Sequence, residues 1–193
     1  MNRQAVNPYL PSWEYIPDGE PHVFNGRVYV YGSHDRFNAP IFCVNDYVCW
    51  SAPVEDLSEW RYEGVIYRKK QDPKNPLGYH LLFAPDVCQG PDGRYWGRRR
   101  GDQLPFDPGV LVDDDGRVWL YSGFYNAVPA ILTGGHKLRC DGGTVLELEK
   151  DMVTIKTEPR VIFPKKGPGA FQGHEFFEAS SIRKEGKTYI FVY

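Results

Sequence analysis

Four acidic residues, Asp18, Asp86, Asp107 and Glu178, stand 8, 7, 9 and 8 residues ahead of the turn glycines Gly26, Gly93, Gly116 and Gly186. Carboxylates that converge on one point raise one another's pKa, so that one stays protonated near neutral pH while another is ionised. Hydrolysis of a glycosidic bond needs such a division: an acid for the leaving oxygen, and a base for water or a nucleophile for the sugar. The same residues would serve equally as turn formers or strand-end caps, and spacing alone leaves both readings open. Asp107, which Pro108 follows, has the strongest claim to a purely structural place.

Each acid opens a similar unit: a short apolar strand, a Gly turn with Arg or Lys next, and a strand rich in Tyr, Trp, Val and Ile. This is a hairpin pattern, and Asn25–Gly26, Asp92–Gly93 and Asp115–Gly116 suit its positive-φ turn. Hairpins that each begin with an acid predict strands converging on one axis, as in a β-propeller. The glycines lie 67, 23 and 70 residues apart. A four-stranded blade takes roughly 40 residues or more, so the middle interval is too short for one. The sequence stops at Tyr193 within the apolar run Tyr189–Tyr193. The expectation is an all-β, partial five-bladed β-propeller forming one incomplete domain over 1–193. Blade one covers 14–68, a shortened blade two 81–103, blade three 104–165 and a partial blade four 174–193. Strands are expected at Glu20–Phe24, Val28–Gly32, Ile41–Trp50, Trp60–Tyr67, Leu81–Cys88, Arg94–Trp96, Gly109–Val112, Val118–Ser122, Ala130–Leu132, Thr144–Leu148, Phe176–Arg183 and Thr188–Tyr193, with Val161–Phe163 leading out of blade three.

Aromatic residues at 15%, with 16 Pro and 20 Gly, fit many short strands joined by tight turns. No stretch sustains helical apolar spacing, so only short helical turns are expected. A net charge of −2 gives no reason to invoke nucleic acid or an anionic membrane. The basic clusters Arg98–Arg100, Lys69–Lys70 and Lys165–Lys166 read as solvated loop charges. Nothing approaches the ~18 apolar residues of a membrane span, and the N-terminus has no apolar leader core, so a cytoplasmic location is expected. Cys43, Cys49, Cys88 and Cys140 lack CxxC spacing, which predicts buried free thiols, no zinc site and no cofactor.

Asn7-Pro8-Tyr9-Leu10-Pro11, Pro17-Asp18-Gly19-Glu20-Pro21, Tyr31-Gly32-Ser33-His34-Asp35, Phe83-Ala84-Pro85-Asp86-Val87, Phe106-Asp107-Pro108 and Phe176-Phe177-Glu178-Ala179-Ser180-Ser181 follow one another in an order that resembles glycoside hydrolase family 43. The resemblance covers almost the whole chain. It implies a five-bladed propeller that inverts configuration while hydrolysing β-xylosides, α-L-arabinofuranosides or arabinans. By motif, Asp18 is the implied general base and Glu178 the implied general acid. Asp86 is implied to raise the acid's pKa and orient it, and Asp107 matches no catalytic position. Inverting pairs stand ~6.5–9.5 Å apart, so this reading requires Asp18 and Glu178 to flank one cleft.

Around these acids, His34, at the end of the second strand, and His174, just ahead of the Glu178 strand, are candidates to line the pocket. A local turn pair of His34 with Asp35 is the alternative. Phe37, Phe83, Phe124 and Trp13 offer faces for sugar stacking, although packing between blades is the commoner fate of propeller aromatics. Ser180 and Ser181 lack a G-x-S-x-G elbow, which argues against a serine nucleophile. The expected partner is an oligosaccharide, and the sequence leaves the oligomeric state open. Inner strands without outer ones leave open sheet edges. A poorly soluble, self-associating chain is therefore expected, and the competing function is a catalytically impaired carbohydrate-binding or structural fragment.

Overall fold

The computed structural model describes residues 7–73, 75–90, 92–93, 95–97, 107–124 and 141–193. The strand expected at Ala130–Leu132, Cys140 and the run Arg98–Arg100 lie outside the described residues. The chain forms two compact units, Met1–Pro85 and Asp86–Tyr193.

The first unit is one antiparallel four-stranded sheet in the order β1-β2-β3-β4, with β1 at Glu20–Phe24, β2 at Arg27–Tyr31, β3 at Tyr47–Pro53 and β4 at Arg61–Tyr67. Asn25 (φ 51°) and Gly26 (φ 74°) both take left-handed backbone between β1 and β2. This is the two-residue turn whose twist matches that of paired strands. Val30, Tyr31, Val48, Cys49, Trp50 and Ala52 form the buried interior. The strand expected at Ile41–Trp50 begins only at Tyr47. Residues 41–46 are a loop, in which Cys43 has φ 56° and the Asp35 carboxylate accepts its N–H at 2.6 Å. Outside the strands, Lys69–Gln71 forms a single 3₁₀ turn.

Among its described residues the second unit holds three sheets. β5 (Val87–Gln89) pairs with β6 (Tyr95–Gly97). β7 (Gly109–Val112), β8 (Val118–Phe124), β9 (Gly142–Leu148) and β10 (Arg160–Pro164) form a four-stranded antiparallel sheet. β11 (Ser181–Glu185) pairs with β12 (Thr188–Val192). Val161–Phe163, expected to lead out of its blade, instead lies in the outermost strand, paired with β9. Only eleven residues, 98–108, separate β6 from β7.

Val118 and Leu120 are fully buried while Trp119 and Tyr121 are half-buried, the alternation of a strand covered on both faces. Cys88 of β5 joins Val110, Val118, Leu120, Leu146, Leu148 and Met152 in one apolar cluster, so neighbouring sheets of this unit share a core. Burial and the nearby Asp86 charge push the Cys88 thiol up to about 12, and burial, with Glu63 nearby, pushes Cys49 to about 11. Both thiols are therefore protonated and inert at neutral pH. Among the described residues no helix is long and apolar enough to cross a membrane.

Candidate active site

Two of the sequence-predicted strands that hold a candidate acid start late. The runs Leu81–Cys88 and Phe176–Arg183 begin as non-strand segments and pair only from Val87 and Ser181, while β7 begins at Gly109 as expected, directly after Pro108. The residues ahead of each inner strand use their backbone or side chains in other ways, and there the acids stand. Asp18, Asp86, Asp107 and Glu178 precede the first residues of β1, β5, β7 and β11 by two, one, two and three positions.

Asp18 is exposed and has φ 54°. Its Oδ2 accepts a hydrogen bond from the Ser33 hydroxyl at 2.9 Å, and the same hydroxyl lies 3.0 Å from the Pro17 carbonyl oxygen. A carboxylate held by one oxygen and open to solvent suits proton exchange with water.

Asp86 is built in the opposite way. It is 1% exposed, its Oδ1 accepts the Val87 N–H at 2.7 Å, and its Oδ2 accepts the Val110 N–H at 2.7 Å. Hydrogen bonds to a charged group contribute roughly 1.5–3 kcal/mol each, which offsets the cost of burying the anion. The second of these bonds also ties the start of β5 to the neighbouring inner strand β7.

Glu178 is half-buried between two anchors. Phe176, 1% exposed, packs against Phe191 and Tyr193 and lies over Gly143, where an added Cβ would come within 2.8 Å of its ring. Burying such a ring is worth roughly 1.5–3 kcal/mol. On the other side, Ala179 has φ 63°, and the Ser180 carbonyl sits so close to Gly109 that a Cβ there would lie 2.3 Å from its oxygen. Glu178 is thereby fixed beside the inner strand β7. The Ser180 hydroxyl is buried with no hydrogen-bond partner among the described residues.

The remaining predicted residues are placed as follows. Both ring nitrogens of His34 face protein acceptors, the Asp46 carbonyl at 2.8 Å and the Glu14 carboxylate at 2.9 Å. Glu14 also accepts the Trp50 indole N–H at 2.8 Å. Phe37 is 78% exposed and stacks on Tyr15, while Phe83 is half-buried against Phe42. Trp13 is exposed beside Trp50, and Phe124 lies against Phe177. His174 is exposed, and its carbonyl accepts the Tyr193 hydroxyl at 2.8 Å. His34, Phe37, Phe83 and Asp18 belong to the first unit, and Asp86, His174 and Glu178 to the second.

A curated xylosidase/arabinosidase from Thermoclostridium stercorarium is 50% identical over an alignment that takes in 100% of this chain and 47% of the relative. A xylosidase/arabinosidase from Humicola insolens is 28% identical, over 93% of this chain and 72% of its own length. In sequence the chain is thus similar to curated xylosidase/arabinosidases. A solved family 43 β-xylosidase/α-arabinofuranosidase from a compost metagenome, in complex with xylotriose, superimposes with a TM-score of 0.70 at 23% identity. It covers 97% of this chain and 72% of that one. The fold is accordingly that of part of a five-bladed β-propeller. No family model matches the chain. The chain spans about half the length of the T. stercorarium relative, at 47%. Their alignment runs over 234 positions against 193 residues here, which leaves 41 positions of the relative without a counterpart.

Two residues at this site were missed from sequence. Glu14 was passed over because it lies in a Pro-rich lead-in without periodicity. Ser33 carried a usable signal. Glu20 pairs with Tyr31 in the first hairpin, so two further steps in the same register set Asp18 opposite Ser33.

Proposed function

We propose that this chain carries the catalytic carboxylates of an inverting glycosidase acting on xylosyl or arabinofuranosyl oligosaccharides. The observation that carries the reading is the placement of Asp18, Asp86 and Glu178, each at the mouth of an innermost strand and each in a different setting. In this reading the exposed Asp18 takes a proton from the attacking water and Glu178 protonates the leaving oxygen. The buried Asp86 holds a fixed negative charge that tunes and orients Glu178. Within the first unit His34, Phe37 and Phe83 are the proposed sugar contacts, with Phe37 offering the most open aromatic face of them and His34 bracing the loop that carries it, and within the second unit the proposed contact is His174. The names of the relatives support the substrate class.

A panel of nitrophenyl glycosides tests it. Xylosides or arabinofuranosides are expected to be hydrolysed in preference to glucosides and galactosides, with inverted anomeric configuration in the first NMR spectra. Retained configuration, or equal rates on hexosides, would overturn the assignment.

A second reading is favoured by the β5–β6 and β11–β12 sheets, which are two-stranded among the described residues: a carbohydrate-binding fragment that holds the sugar without cleaving it. Binding of xylotriose with no turnover on any aryl pentoside would select that reading.

A further inference from the structure

The structure assigns Ser33 as a positioning residue for Asp18, an inference that rests on the proposed role of Asp18 as base. Ser33 is 0% exposed, and its Oγ lies 2.9 Å from Asp18 Oδ2 and 3.0 Å from the Pro17 carbonyl oxygen. The contact follows from hairpin register, since the pairing Glu20↔Tyr31 continues outward to Asp18 opposite Ser33. It also depends on Gly32. A Cβ there would lie 2.7 Å from the Pro17 carbonyl oxygen and 3.0 Å from that of Asp18, so only glycine lets the end of β2 press against this backbone. The left-handed φ of 54° at Asp18 completes the seat.

A serine hydroxyl has one proton and here two acceptors to choose between. While Asp18 is ionised, the charge-assisted bond is the stronger, by roughly twofold, and the hydroxyl points to Oδ2. During attack, the water oxygen bonds to the anomeric carbon as the glycosidic bond breaks. The water proton passes to Asp18, and Glu178 gives its proton to the leaving oxygen. Asp18 then loses its charge, and the Ser33 proton is free to turn to the Pro17 carbonyl. The hydroxyl keeps a partner in both states. Ser33 therefore holds the base in place without touching substrate.

Carboxyl ¹³C NMR on the full chain tests this, with Asp18→Asn identifying the Asp18 resonance. In Ser33→Ala that resonance is expected to move at neutral pH, because the carboxylate loses one hydrogen-bond donor. Ser33→Cys, nearly isosteric with a weak donor, is expected to give a smaller displacement and serves if the alanine variant fails to fold. An unchanged resonance in the folded variants would overturn the inference.

On an aryl pentoside, Ser33→Ala is expected to lower kcat roughly tenfold and leave KM unchanged, with Ser33→Cys recovering part of the loss. If Asp18→Asn keeps the wild-type rate while Ser33→Ala moves the resonance, the base assignment falls and the Ser33–Asp18 coupling stands. If Asp18→Asn abolishes turnover and Ser33→Ala changes neither the resonance nor kcat, the Ser33 inference alone falls.

Discussion

The hairpins that open the first and third blades are built to one plan, with an acid two residues ahead of the inner strand and left-handed backbone at that acid, φ 54° at Asp18 and 41° at Asp107. They differ across the hairpin. Register sets Ser33 opposite Asp18 but Gly123 opposite Asp107, because Gly109 pairs with Tyr121. A side chain cannot be added there, since a Cβ on Gly123 would lie 2.2 Å from the Gly142 carbonyl oxygen. One hairpin presents a hydroxyl to its carboxylate, and the other spends the same position on close strand packing. Equal spacing ahead of the strand thus conceals unequal chemistry.

Exchanging the two acids gives the largest expected contrast. Asp18→Asn is expected to lower kcat/KM on an aryl pentoside by about 10²–10⁴, the usual worth of a general base. Asp107→Asn is expected to stay close to wild type. Comparable losses from the two substitutions would erase the distinction between the hairpins. Glu178→Gln should resemble Asp18→Asn on poor leaving groups and recover on activated nitrophenyl glycosides, which need less acid assistance.

Asp86 sharpens the comparison from the side of stability. Its two oxygens accept two backbone N–H groups at 2.7 Å each, and an amide offers only one acceptor oxygen, so Asp86→Asn turns an NH₂ towards a buried donor. That should cost about 1–3 kcal/mol, read as a lowered midpoint in thermal or urea melts. Asp18→Asn, at an exposed site, should melt close to wild type. If Asp86→Asn melts like wild type, the buried carboxylate is not the tie between β5 and β7 described above.

These contrasts also show what was legible in the sequence. The acid-to-glycine spacing found every hairpin that holds a candidate acid, because a turn with positive φ leaves a strong local mark at Asn25–Gly26. The β7 bounds Gly109–Val112 and the β1 bounds Glu20–Phe24 were both readable. The strand starts after Leu81 and Phe176 were not, because the apolar residues there pack as anchors: Phe176 fills a socket over Gly143. The outer strand of the third blade was misread because its pairing with β9 spans a long connection that leaves no local sign. The separate settings of Asp18 and Asp86 were invisible for a similar reason. Each depends on which backbone or hydroxyl donor lies across a strand, and that is a matter of register rather than residue type.

Edge exposure extends the comparison to whole strands. β2 and β8 are each flanked by strands on both sides, whereas β12 pairs with β11 alone among the described residues and leaves Tyr189, Ile190 and Val192 at 50%, 43% and 60% exposure. An apolar strand with an open edge favours association. Val192→Lys is expected to lower the light scattering of concentrated solutions without lowering the thermal midpoint, as a charge on an edge strand discourages pairing with another chain. Unchanged scattering would place any association elsewhere.

The smallest effect at neutral pH, and the one most specific to the third blade, lies in its β7–β8 turn. The Lys184 ammonium and the Tyr189 hydroxyl, both from the β11–β12 hairpin, bind the Asp113 carboxylate, with the hydroxyl at 2.7 Å, and a second carboxylate, Asp114, lies 2.8 Å from the same ammonium. The hydrogen bond from Lys184 is the main cause that holds Asp113 down at about 2, followed by the one from Tyr189. Asp113 reciprocally raises Lys184 above the ordinary lysine range. A carboxylate depressed by folding stabilises the native state above its unfolded pKa of about 3.9, and that contribution is lost as pH falls through the folded value. The raised lysine acts in the other direction, contributing below its unfolded pKa and losing its contribution only at strongly alkaline pH. Both contributions are therefore present at neutrality. Asp113→Asn should unfold at lower urea than wild type at pH 7, and the gap should narrow steadily between about pH 4 and pH 2. A gap that stayed constant to pH 2 would mean that the turn and the hairpin are held by packing, with Lys184 over the Tyr189 ring at 5.0 Å, rather than by the charge on Asp113.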